Sequence, residues 1–134
     1  MSRKSDYGIQ KILPCSYEEA LPRVKEALSK QGFGVLTEID VRAVLKKKLD
    51  IDFNKYVILG ACNPPLAHKA LTAEPLIGLL LPCNVTVFQE DDGSINVSFI
   101  KPSEMFRIVP NPGLEAVAKQ VDEKLIRAME HLGS

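Results

Sequence analysis

The strongest folding constraint lies in the last part of the chain. Leu114, Val117, Ala118, Val121, Leu125, Ala128, Met129 and Leu132 recur at steps of three and four, so one long helix carries an unbroken apolar stripe. A stripe of that length needs an apolar surface from the rest of the chain to lie on. Asn111 is placed to cap the helix. Glu115–Lys119 and Glu123–Arg127 stand four apart on the facing surface, in the favourable order.

The remaining segments supply a sheet. Residues 6–13 read as a strand. Ser16 and Glu19 then form a capping box ahead of a helix carrying Tyr17, Ala20, Leu21, Val24, Ala27 and Leu28, which stops at Gly32 and is interrupted by Pro22. Residues 32–39 read as a second strand, and Asp40 caps a short helix bearing Val41, Val44, Leu45 and Leu49. The apolar run 55–61 has the pattern of a buried strand. Asn63 as N-cap and Pro64 at the first helical position predict a helix over 64–72. A long strand is expected over 76–90, with Cys83, Val85 and Val87 on one face and Asn84, Thr86 and Phe88 on the other, bulged or at an edge at Pro82. Asp91-Asp92-Gly93 turns it into a hairpin with 94–100. The sum is an α+β chain in β-α-β-α-β-α-β-β-α order, with helices packed on a mostly antiparallel sheet.

Length and charge narrow the function. The chain has 134 residues and no Gly/Ser- or Pro-rich divider, so one domain over 1–134 is expected. Its 17 basic and 17 acidic residues cancel, which argues against nucleic acid or an anionic membrane as partner. Lys46-Lys47-Lys48 reads as a solvated helix end. The polar N-terminal stretch lacks the apolar core of a secretory signal, and 76–81 is too short to span a bilayer, so a cytoplasmic protein is expected. Three cysteines then read as thiols rather than a disulfide framework.

Phosphate-loop, nucleophile-elbow, H-E-x-x-H and C-x-x-C patterns are absent. What remains is Cys62-Asn63-Pro64-Pro65-Leu66-Ala67-His68, where a buried strand runs into a helix, and Leu81-Pro82-Cys83-Asn84 on the strand that follows. Cys62 just precedes a helix N-terminus, which favours a thiolate, and His68 is a turn past Pro64 on the same helix face. Cys62, His68 and Cys83 together would suit Zn²⁺ or Cu⁺ with one position open. They would equally suit a thiol enzyme with Cys62 as nucleophile or redox centre, His68 as base and Cys83 as resolving thiol. The plainer reading makes Cys83 a core thiol among Leu and Val, and His68 a surface residue. Cys15 only precedes a capping box, and His131 sits in a terminal turn.

The stretches GFGVLTEIDVRAVLKKKLDIDFNKYVILGACNPPLAHKAL and IGLLLPCNVTVFQEDDG, with the preceding YEEAL and VKEAL, resemble the family called domain of unknown function 302 over about residues 5–131. The resemblance implies an α+β fold similar to the TATA-binding-protein class, in a domain that can pair into a homodimer, and it implies no established activity. Cys62, Asn63, Pro64, His68, Pro82, Cys83 and Asn84 match the family's signature segments, while Pro22 departs from its usual polar residue. Asn63 and Asn84 are accordingly expected as small-ligand contacts, beside Cys62, His68 and Cys83 as metal ligands. The function expected first is a binding module for a soft metal ion or small ligand. A homodimeric interaction module with core cysteines comes second, and a thiol-dependent redox enzyme third.

Overall fold

The computed structural model describes residues 5–132. Strands β1 (Gly8–Leu13), β2 (Gly34–Asp40), β3 (Tyr56–Cys62), β4 (Cys83–Gln89) and β5 (Ile95–Ile100) form one five-stranded sheet in the order β1-β5-β4-β3-β2, every neighbouring pair antiparallel. Helices α1 (Tyr17–Lys30), α2 (Val41–Leu49), α3 (Pro64–Ala73), α4 (Pro102–Met105) and α5 (Gly113–His131) complete the expected α+β class.

The strand alternation sorts the two faces of the sheet. Val57 and Leu59, Val85 and Val87, and Val97 and Phe99 are buried and stand in register across β3, β4 and β5. Over this face lie Ala20, Val24, Ala27 and Leu28 of α1, and Leu114, Val117, Ala118, Val121, Leu125, Ala128 and Met129 of α5, so the stripe read in the sequence is the stripe that is buried. Asn84, Thr86 and Phe88 turn the other way, into a shallow groove shared with Gln10, Tyr56 and Ser98.

The ends of α1 fix its two neighbours. Ser16 Oγ accepts from Glu19 N–H at 3.1 Å while Glu19 reaches back to the Ser16 N–H, the expected capping box. The helix runs through Pro22 and closes with Gly32 at φ 84, where Phe33 N–H donates to Leu28 C=O and Gly32 N–H to Ser29 C=O, both at 3.0 Å. Only a residue free to adopt positive φ completes this cap, which turns buried Phe33 back onto Leu28.

Two expectations are corrected. The strand drawn over 76–90 forms only from Cys83; Pro75–Leu80 is instead a 3-10 helix, with Glu74 accepting from Leu76 N–H at 3.1 Å. Pro75 suits a first helical position, and Pro82 cannot donate to a ladder, so the prolines on either side break the strand. Asn111 does not cap α5 as drawn. Its Oδ1 accepts from Gly113 N–H at 2.9 Å and its Nδ2 donates to Ala73 C=O at 2.8 Å, so it ties the entry of α5 to the end of α3. Arg127 donates to Gln31 of the α1 cap at 3.3 Å.

The β2–α2 segment differs from the rest. β2 is an edge strand with a register shift between Val35 and Thr37, where Leu36 bulges outward. α2 follows it directly, capped by Asp40 at 2.9 Å from Ala43 N–H, and none of its residues is buried. Gly60 of β3 clamps β2 against the start of β4. A Cβ there would strike Thr37 Oγ1 and lie 2.7 Å from Pro82 Cγ, so nothing larger than glycine fits.

Candidate functional site

The end of β3, the start of β4, α3 and α5 enclose an open-mouthed cavity of about 330 Å³ with an almost wholly apolar wall. Local sequence explains most of it. β3 ends at Cys62 because Asn63 starts α3, accepting from Leu66 N–H at 3.4 Å, with Pro64 at the first position. Leu66 and Ala70 then face inward and are buried, and Ala67 and Leu71 complete the helical side of the wall. Phe33 arrives from the α1 cap and Phe106 from the 3-10 turn after α4, while Val117 and Val121 come from α5.

The structure brings two of the expected residues together. Cys83 is the register partner of Ala61, one residue before Cys62, and both thiols line the cavity. Cys62 is half-buried and Cys83 is 9% exposed. Burial pushes the Cys83 thiol up to about 12, with smaller contributions from nearby Cys62 and Asp122, so it stays neutral at physiological pH.

The other expected residues are placed elsewhere. His68 is exposed and does not line the cavity. It does share a helix face with Pro64, as the spacing required, but Leu66 and Ala70 take the inward side and that shared face is the exposed one. Among the described residues, no three His, Cys, Asp or Glu side chains are grouped to hold a metal ion. Asn63 touches the cavity, yet its amide is committed to the protein. Its Oδ1 caps α3 and its Nδ2 donates to Gln31 C=O at 3.3 Å, binding α3 to the end of α1. Asn84 is exposed in the groove on the opposite sheet face. Cys15 is half-buried beside Tyr17, outside the cavity lining. Phe33, Phe106, Val117 and Val121 were not singled out in the sequence; each reads there as ordinary core, and only the tertiary fold assembles them.

An antiparallel sheet with helices on one face and an apolar cavity at one end makes this a small α+β domain. The chain belongs to the family described as Domain of unknown function DUF302, which matches residues 9–132. It is similar to an uncharacterized protein of Aquifex aeolicus, 26% identical over 126 residues, which covers 92% of this chain and 81% of that one. Its fold matches the crystal structure of an uncharacterized conserved DUF302 protein from Bacillus stearothermophilus. That match has a TM-score of 0.87 and 29% identity, covering 95% of this chain and 98% of the other. No helix among the described residues is long and apolar enough to cross a membrane.

Proposed function

We propose that this domain binds a small apolar molecule in the cavity walled by Cys62, Cys83 and α3. The observation that carries this is the cavity itself: about 330 Å³ of almost wholly apolar space open to solvent, its wall built largely of core side chains. Proteins seldom keep such a void, because each lining group forgoes its packing contacts, and an occupant recovers them. The two thiols add a soft, polarizable wall rather than a charged one.

Thermal melts of the reduced protein with and without decan-1-ol test this. A melting temperature that rises with ligand concentration is expected, and it should vanish in Ala67→Phe, which fills the mouth side of the cavity. No rise in the unmodified protein overturns the reading. Metal content measured alongside separates it from the soft-metal alternative. Zn²⁺ or Cu⁺ retained in proportion to protein, and lost in Cys62→Ser and Cys83→Ser, would make the thiols ligands, with the remaining positions filled from outside this chain.

Pairing into a homodimer is a second reading, favoured by the uncovered edge of β2 and the apolar side chains of α2. Val44 and Leu49 of α2, and Ile51 and Phe53 just after it, are all exposed. Sedimentation that stays monomeric at high micromolar concentration would rule it out.

A further inference from the structure

We infer that the cavity's ligand is an apolar molecule ending in a carboxylate, its chain inside the cavity and its carboxylate held at the mouth by His68. This rests on the cavity reading above and specifies the ligand. The interior cannot accept a charge. Its wall carries no Asp, Glu, Lys, Arg or His, the Asn63 amide is committed to Gln31 and Leu66, and a charge buried without partners is strongly disfavoured. Any charged group must therefore sit at the opening.

Three lining residues mark that opening by remaining exposed: Leu36 and Thr37, at the β2 bulge, and Leu71, on α3, with Leu36 at 69% and Leu71 at 40%. His68 stands three residues before Leu71, and side chains so spaced on a helix are neighbours, with Cβ atoms about 5–6 Å apart. The imidazole thus stands beside the outer rim rather than inside. Its ring has no hydrogen-bond or ion-pair partner among the described residues, and its main-chain carbonyl accepts from Thr72 Oγ1 at 2.7 Å.

Charge fixes the sign of the head. Residues 64–73 include His68 and Lys69 and no carboxylate; Glu74 follows at the C-cap with its carboxylate engaged by Leu76 N–H, so α3 itself offers donors and no anion. A carboxylate is attracted there and an ammonium is repelled. Size fixes the chain. A void of roughly 150 Å³ admits benzene, so one about twice as large takes on the order of a dozen carbon atoms.

Calorimetric titration of the full chain with decanoate and with decan-1-ol at pH 6.5 tests the inference, because the two ligands share a chain and differ in the head. Decanoate is expected to bind about tenfold tighter. His68→Gln should bring decanoate down to the affinity of decan-1-ol and leave decan-1-ol unchanged, and Lys69→Gln should keep most of the preference. Decan-1-ol binding as well as decanoate, or a preference that survives in His68→Gln, overturns the carboxylate inference and leaves the cavity reading standing. Failure of both ligands to bind the folded, unmodified protein overturns the cavity reading and this inference together. Circular dichroism melts confirm that each variant is folded.

Discussion

Helices α5 and α2 carry the same kind of pattern and meet opposite fates. In α5, 19 residues long, Leu114, Val117, Val121, Leu125 and their neighbours are buried. In α2, nine residues long, Val41, Val44, Leu45 and Leu49 follow a similar spacing and none is buried. The difference lies in what each helix can reach. α5 returns from a long connection to pack against β1, α1 and α3, whereas α2 begins one residue after the edge strand β2 ends and is held at the sheet's margin. Helical period tells which side of a helix seeks cover; whether cover exists depends on the neighbours its connections allow.

The contrast can be tested at graded strength. Leu125→Ala, at a position 1% exposed, should lose about 3 kcal/mol of stability to urea, as large-to-small changes in a packed core do. A loss below about 1 kcal/mol would mean that α5 is no better seated than α2. Gly60→Ala acts where β2 is clamped and should cost about 2 kcal/mol. Thr37→Ala in the same chain should recover part of that loss, because the two changes share one clash.

Alkaline titration probes the cavity side. The Cys83 thiol is raised from 9.0 to about 12, chiefly by burial, so the folded state holds its proton after the unfolded state has released it. Stability should be unaffected below about pH 9 and fall by up to about 1.4 kcal/mol per pH unit between there and pH 12. Tyr17, also raised to about 12 mainly by burial, adds in the upper part of that window. Cys83→Ala should flatten the slope from pH 9 upward and leave the tyrosine part.

Asp40→Ala removes the cap of α2 and should weaken that helix by about 1 kcal/mol, seen as faster amide exchange over 41–49 more than as global unfolding. Smallest of all, Leu49→Ala, 63% exposed, should stay within about 0.5 kcal/mol at low concentration. A larger loss that grows with protein concentration would show a second copy covering α2, and the contrast with α5 would then be one of partner rather than of cover.

Features that depend on neighbours in sequence were legible before the fold was known. The Ser16–Glu19 box, the Asn63 cap with Pro64, the turn at Gly93 and the alternating faces of β4 are all decided within a few residues, and all are present. The segment 76–82 was not, because an apolar run between prolines satisfies a strand or a 3-10 turn equally until Glu74 supplies its cap. The site was legible only in part. Cys62 and Cys83 share a cavity because adjacent strands put them there. The angle at which α3 lies on the core turned His68 outward, and helical spacing carries no information about that angle.

Asn63 has a consequence for motion. One side chain fastens the first turn of α3 to the tail of α1, with its amide nitrogen 3.1 Å from where a Cβ on Gly32 would lie. The first turn of α3 and the segment that carries Phe33 are therefore pinned together by Asn63. They cannot swing apart independently: a guest that levers α3 outward must drag Gln31 and Phe33 with it or first draw the pin. Under the proposed function, admission of a ligand would couple the movement of both walls through Asn63, itself part of the lining.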